Sequence, residues 1–202
     1  MLYIMSSPEK NTRSKILNAT WKLMEERRGS GVRMSDIAKA AGVSRQAIYL
    51  HFDTRTALMS ATAIHVDEVK GLDERLQTVL SATSAVAALE AYVAVWGTYA
   101  PEVYGLAKAL LAVRETDEAA ALAWDERMAC LRDGCREIIA GLDAEGRLAP
   151  DWSRADATEM LWTVLSFQTW EQLTVGCDWS VDKYVRWMTM LVKSSFVNDK
   201  AL

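Results

Sequence analysis

Arg45, Gln46, Tyr49 and His51 fall within seven residues of one another. These side chains suit the base edges and phosphates of a nucleic-acid duplex. An Arg fork can bridge guanine O6 and N7, and a Gln amide can bridge adenine N6 and N7. Tyr49 and His51, further along, can reach phosphate. Arg55 follows Thr54, and a helix start capped by Thr54 is itself a phosphate site. Other chemistry is poorly served. The two histidines, His51 and His65, lie fourteen residues apart with no cysteine nearby, which does not make a metal site. The sequence has no His-Glu-x-x-His, no phosphate-cradling Gly-rich loop and no Ser/His/Asp set. No catalytic residue, metal or cofactor is expected.

Helices must carry these residues. A cap at Asn11 or Thr12 opens a helix to about Arg28, with Ile16, Ala19, Thr20, Leu23 and Met24 on one face. Gly29-Ser30-Gly31 stops it. A second helix spans about Met34 to Ala41, with Ile37, Ala38 and Ala41 inward. Gly42 allows a sharp turn. Ser44 caps a third helix, Arg45 to about Leu50, and Ile48 and Phe52 face inward. Two short helices joined by such a turn form a helix-turn-helix. The second helix of that motif enters the major groove with its N-terminal residues leading, here Arg45 and Gln46.

The run Ile37-Ala38-Lys39-Ala40-Ala41-Gly42-Val43-Ser44-Arg45-Gln46-Ala47-Ile48-Tyr49-Leu50-His51-Phe52, then Arg55 and Leu58, resembles the DNA-binding signature of the tetracycline-repressor (TetR) family. Ile16-Leu17, Ala19 and Leu23-Met24 ahead of Gly29 are similar to that family's first helix. The resemblance covers about residues 12–58. It implies an all-α fold: a three-helix head (1–55) and a helical ligand-binding and dimerisation body (56–202), about nine helices in all. It implies DNA contacts by Arg33, Ser35, Ser44, Arg45, Gln46, Tyr49, His51, Thr54 and Arg55. Two departures stand out. Arg55 occupies a position where the family usually has Lys, and Arg33 one where it often has Ser or Thr, with Ser35 two residues on.

Charge agrees with a nucleic-acid partner. The net charge is -4, yet residues 1–55 hold ten Lys and Arg against five Asp and Glu, while the remainder holds thirteen against twenty-two. A basic head on an acidic body suits contact with phosphate. Half the residues are hydrophobic, with 3 prolines and 10 glycines, so long helices and a sizeable core are expected. No run is long enough to span a bilayer. The apolar start Met1-Leu2-Tyr3-Ile4-Met5 lacks a basic lead-in and is not read as a signal peptide. A cytoplasmic protein without membrane contact is the expectation. Cys130, Cys135 and Cys177 are odd in number without a CxxC, so no disulfide framework is expected. Cys130 and Cys135 are read as buried thiols.

In the body, one helix is expected from about 54 to 78, with Leu58, Ala61, His65, Val69, Leu72 and Leu76 on one face. Others follow at about 84–99, 102–113, 117–142, 153–175 and 180–197. The last two are rich in aromatics. Phe167, Trp170, Tyr184, Trp187 and Leu191 are the expected homodimer surface, because the family builds a four-helix bundle there across a two-fold axis. Eight tryptophans are many for 202 residues. Trp96, Tyr99, Tyr104, Trp124, Met128 and Trp162 can line a pocket for a small apolar or aromatic effector. Side chains of these types at helical spacing also serve as core. The sequence therefore points to a ligand-responsive dimeric repressor of a double-stranded, palindromic operator. The alternatives are a ligand-independent architectural DNA binder and an enzyme using the helical body.

Overall fold

The computed structural model of the protein describes residues 8–198; the start, residues 1–5, that bears on the signal-peptide expectation lies outside them. The long elements are all α-helical: α1 (Pro8–Glu26), α2 (Met34–Ala41), α3 (Arg45–His51), α4 (Arg55–Val69), α5 (Leu72–Leu80), α6 (Ala85–Val113), α7 (Glu118–Ala144), α8 (Arg154–Val164), α9 (Phe167–Glu171) and α10 (Val181–Phe196). A π turn, Gln172–Gly176, continues α9. One isolated antiparallel bridge joins Leu148 to Val197. The fold is all-α. With α8 and α9 taken as one interrupted helix, nine helical elements stand among the described residues.

The boundaries depart from the sequence expectation at four places. α1 begins at Pro8, where the fixed φ of proline and its missing N–H suit a first helical position. The helix expected over 54–78 is broken after Val69, where Gly71 turns the chain at φ 65° into α5. The two helices expected on either side of Pro101 are one. A proline inside a helix costs about 3 kcal/mol, but Tyr99, Ala100 and Val103 around it are buried, and that burial favours continuity. α8 stops at Val164 instead of reaching 175, because Ser166 caps a new start by accepting the Thr169 N–H at 3.2 Å.

Two compact units are present. The first holds the described residues up to Val69 together with Val103–Arg127. The boundary expected after residue 55 falls at the first residue of α4, inside this unit. α1 packs on α2, α3 and α4, and the core of the unit is built from Ile16, Leu17, Met24, Ile37, Ile48, Phe52, Leu58, Leu106 and Leu110. The inward face of α4 is Leu58, Met59, Thr62, Ala63 and Val66, so the expected face must be corrected. Leu58 is buried as expected, but Val69 is exposed. Thr62 is hidden because its hydroxyl donates to the Leu58 carbonyl at 2.8 Å.

The second unit holds Lys70–Glu102 and the described residues from Met128 onward. Leu89, Val93, Cys135, Ile139, Leu142, Leu161, Leu165, Tyr184 and Val192 are buried in it. α10 packs against α8 and against the π turn.

Candidate nucleic-acid interface

The helix-turn-helix is held from beneath and from one end. Ile37, Ala38 and Ile48 are buried, and Gly42 closes α2 at φ 68° with its N–H on the Ala38 and Lys39 carbonyls. Ser44 caps α3, accepting the Ala47 N–H at 3.0 Å. The start of α2 has another device. Arg33 is the cap residue but has no side-chain acceptor to offer, and Asp36 takes over. Its Oδ2 accepts the Arg33 N–H at 3.4 Å and the Arg27 guanidinium at 2.7 Å. Arg27 also donates to the Gly31 carbonyl at 3.1 Å. The Arg27 hydrogen bond holds the Asp36 carboxyl below its ordinary range. The end of α1 and the start of α2 are thereby tied by one carboxylate.

This frame leaves one row of side chains in solvent. Arg33, Ser35, Ser44, Arg45, Gln46 and Thr54 are exposed, Tyr49 is 39% exposed, and His51 is half-buried. The Arg45 guanidinium lies over the Tyr49 ring, 5.8 Å from its centroid, one helical turn apart on one face. Such stacking pre-orients the fork. Thr54 caps α4 by accepting the Ala57 N–H at 3.0 Å. Two residues on this side were not singled out from sequence. Leu50 is 81% exposed, and its exposure was legible from its place opposite Ile48. Arg13 reaches from α1 to within 5.2 Å of the Phe52 ring centroid, a long-range contact with no local signal.

Arg55, expected to meet phosphate, is placed differently. It is half-buried, and its fork is filled by Asp117, with Nη1 to Oδ1 at 2.5 Å and Nη2 to Oδ2 at 2.6 Å.

The candidate pocket residues divide between the units. Tyr104, half-buried with the Lys108 ammonium 6.0 Å from its ring centroid, and buried Trp124 belong to the first. Trp96, Tyr99, Met128 and Trp162 belong to the second. There Trp96 packs edge-on against Phe167, centroids 4.8 Å apart. The Arg75 guanidinium stands 5.8 Å from the Tyr99 centroid and that of Arg132 stands 5.6 Å from Trp162. An open groove of about 470 Å³ runs between α7 and α8, lined by Arg132, Arg136, Arg154, Asp133 and Glu159 among others. Five of its lining residues are charged, and none of the six expected pocket residues lines it.

Of the expected dimer residues, Phe167, Trp170 and Tyr184 are buried within the second unit. Burial pushes the Tyr184 phenol above its ordinary range, partly opposed by the Trp96 indole. Its ring lies so near Gly97 that a Cβ there would be 3.1 Å away. These three rings fill the core and offer little surface. Trp187 and Leu191 are 44% and 46% exposed.

Residues 16–62 match the family described as bacterial regulatory proteins, tetR family. An uncharacterized HTH-type transcriptional regulator of Mycobacterium tuberculosis is 45% identical over 47 residues, a match spanning 23% of this chain and 23% of that protein. NalD of Pseudomonas aeruginosa, the secondary repressor of a multidrug efflux pump, has a similar fold, with a TM-score of 0.72 at 17% identity over 96% of this chain and 99% of that one. The regulator FadR of Bacillus subtilis, solved with stearoyl-CoA, gives a TM-score of 0.72 at 16% identity over 90% and 98% of the two chains. Residues 16–62, which hold the helix-turn-helix, thus carry the match to the tetR family of bacterial regulatory proteins, and the fold around them is similar to that of NalD.

Proposed function

We propose that this regulator is a ligand-responsive repressor that binds a palindromic operator as a homodimer and is released by a small apolar or aromatic effector. The observation that carries the reading is the solvent-facing row Arg45, Gln46 and Tyr49 on a helix anchored by buried Ile48. Arg45 and Gln46 are the base-reading pair, and Arg33, Ser35, Ser44, Tyr49, His51 and Thr54 line the backbone side. Two heads about 34–36 Å apart would read successive major grooves. Support for a dimer comes from Trp187, Met190 and Leu191 on α10 and Met160 on α8, all exposed. Support for an effector comes from the similar FadR of Bacillus subtilis, which was solved with stearoyl-CoA. The effector acts by binding unequally to the DNA-competent and incompetent states.

The test is titration of the purified protein into DNA from upstream of its own gene and into a scrambled duplex, at two salt concentrations. Preference for the upstream DNA that survives higher salt is expected. Long-chain acyl-CoA and small aromatic probes are then added, and release by one of them completes the reading. No preference on upstream DNA or on duplexes selected from a random pool would sink the regulator of a specific operator. A second reading, a ligand-independent DNA binder, is favoured by Trp96 being filled in by Phe167; retention of DNA under every probe would support it.

A further inference from the structure

Arg55 and Asp117 are 62 positions apart in sequence and meet inside the first unit in a two-pronged ion pair at 2.5 and 2.6 Å. Arg55 Nη2 also lies 3.4 Å from the Val32 carbonyl, at the entry to α2. Asp117 is doubly used. Besides holding the guanidinium, its Oδ1 accepts the N–H groups of Ala119 and Ala120 at 3.1 and 3.3 Å and so caps α7. Both side chains are shielded, with 28% and 20% of their surface exposed. Burial alone would raise the Asp117 carboxyl; the Arg55 bonds and the two backbone N–H groups outweigh it and keep the group below its ordinary range.

The fork geometry that a guanidinium offers a carboxylate is the one it offers a phosphate. Arg55 is the first residue of α4, four residues after His51 ends α3, and the N-terminus of a helix is where a backbone phosphate is commonly bound. Two anions cannot occupy the same pair of N–H groups. We propose that Asp117 sets the DNA affinity of the head by withholding Arg55 from the phosphate backbone, acting as an internal anion in competition with DNA. Asp117 is a positioning residue here, and the proposal rests on the reading of α3 as the DNA-contacting helix. An arginine already neutralised by a carboxylate displaces no counterion from DNA, so in the wild type Arg55 adds nothing to the salt dependence. A freed Arg55 adds one phosphate contact, which steepens the slope of log affinity against log salt by about 0.9.

The experiment measures that slope on the selected operator for the full-length wild type, Asp117→Asn, Arg55→Ala and the double variant. Asn keeps the capping function, and Asp117→Ser is a second capping variant without charge. Thermal unfolding confirms that each is folded. Asp117→Asn should bind roughly eightfold more tightly at 0.1 M salt with the steeper slope. Arg55→Ala should keep the wild-type slope, and the double variant should return to it. A purely structural role for Asp117 would move the melting temperature and leave the slope unchanged. If Arg55→Ala alone flattens the slope by about one, Arg55 leaves Asp117 when DNA binds and the proposal is overturned. It is likewise overturned, alone, if every protein prefers operator over scrambled DNA and Asp117→Asn matches wild type. If no protein, wild type included, tells the two duplexes apart, the DNA-binding reading falls and takes the proposal with it.

Discussion

Gly29 abuts the carbonyl of Ala109: a Cβ on Gly29 would lie 2.1 Å from that oxygen and 3.1 Å from Val113 Cγ2. The turn after α1 therefore rests directly on the backbone of α6, within the first unit. Gly29 is also at φ 77°, a region that costs an L-residue about 1–2 kcal/mol. Gly29→Ala should thus destabilise the protein by more than that, on the order of 3 kcal/mol once the displaced carbonyl is included. Gly105 is the control. A Cβ there meets the Glu25 carboxylate at 2.5 Å, but that is the movable end of a side chain, and Ala is better than Gly in a helix by about 1 kcal/mol. Gly105→Ala should be neutral or mildly stabilising. Urea unfolding of both variants checks the contrast, and equal effects would contradict it.

Gln46 is exposed one residue after the start of α3. Gln46→Ala should cost about 1–3 kcal/mol on the selected operator and relax preference at one base pair. Selection from random duplexes reads this directly. Intact preference would mean that Gln46 makes no bidentate base contact.

The local part of this site was legible in the sequence. Gly42, Ser44 and the inward Ile37, Ala38 and Ile48 follow from near-neighbour chemistry, and the structure places each as expected. The inward face of α4 was not legible. Leu58, Met59, Ala61, Ala63, Ile64 and Val66 put apolar side chains on every side of that helix, so period alone could not select the buried one. Long-range pairing was equally hidden. Nothing near Arg55 announces a carboxylate 62 positions away, and nothing near Arg33 says that Asp36 and Arg27 will share its capping duty.

The cysteines separate by burial. Cys130 was expected to be buried and is exposed, as is Cys177, while Cys135 is buried. The cause is angular: positions five apart in a helix point about 140° from one another, so α7 turns Cys130 outward when Cys135 faces the core. Burial pushes the Cys135 thiol up to about 12, partly opposed by the Tyr92 hydroxyl. Iodoacetamide at neutral pH, followed by intact mass, should add two groups quickly and the third only on unfolding. Rapid addition of three would contradict the buried position.

The Arg55–Asp117 pair makes a pH prediction of definite sign. A carboxyl whose folded pKa is depressed stabilises the fold above its unfolded value and loses that contribution as pH falls through the folded one. Asp117 is held below its ordinary 3.8. Asp117→Asn should therefore cost stability at pH 7, roughly 1–3 kcal/mol for a pair intermediate between exposed and buried. The wild-type advantage should shrink as pH drops below 3.8. Chemical unfolding of both proteins between pH 7 and pH 2.5 checks it, and a gap that is constant with pH would show that the carboxylate charge contributes nothing.

The proposed dimer predicts a split among the large apolar residues of α9 and α10. Trp187 and Leu191 are about half exposed, whereas Phe167, Trp170 and Tyr184 are buried in the second unit. Leaving two large apolar groups in water is unfavourable by about 25 cal/mol for each Å² that association would cover. A charge placed among them opposes burial. Trp187→Glu with Leu191→Glu should give a folded monomer by light scattering, with unchanged helical circular dichroism. Its operator affinity should fall sharply, since the two half-sites would then be bound separately. Tyr184→Ala should instead lower the melting temperature, by the 3–5 kcal/mol or so typical of emptying a core aromatic site. A double-Glu variant that remains dimeric would move the interface away from this face of α10.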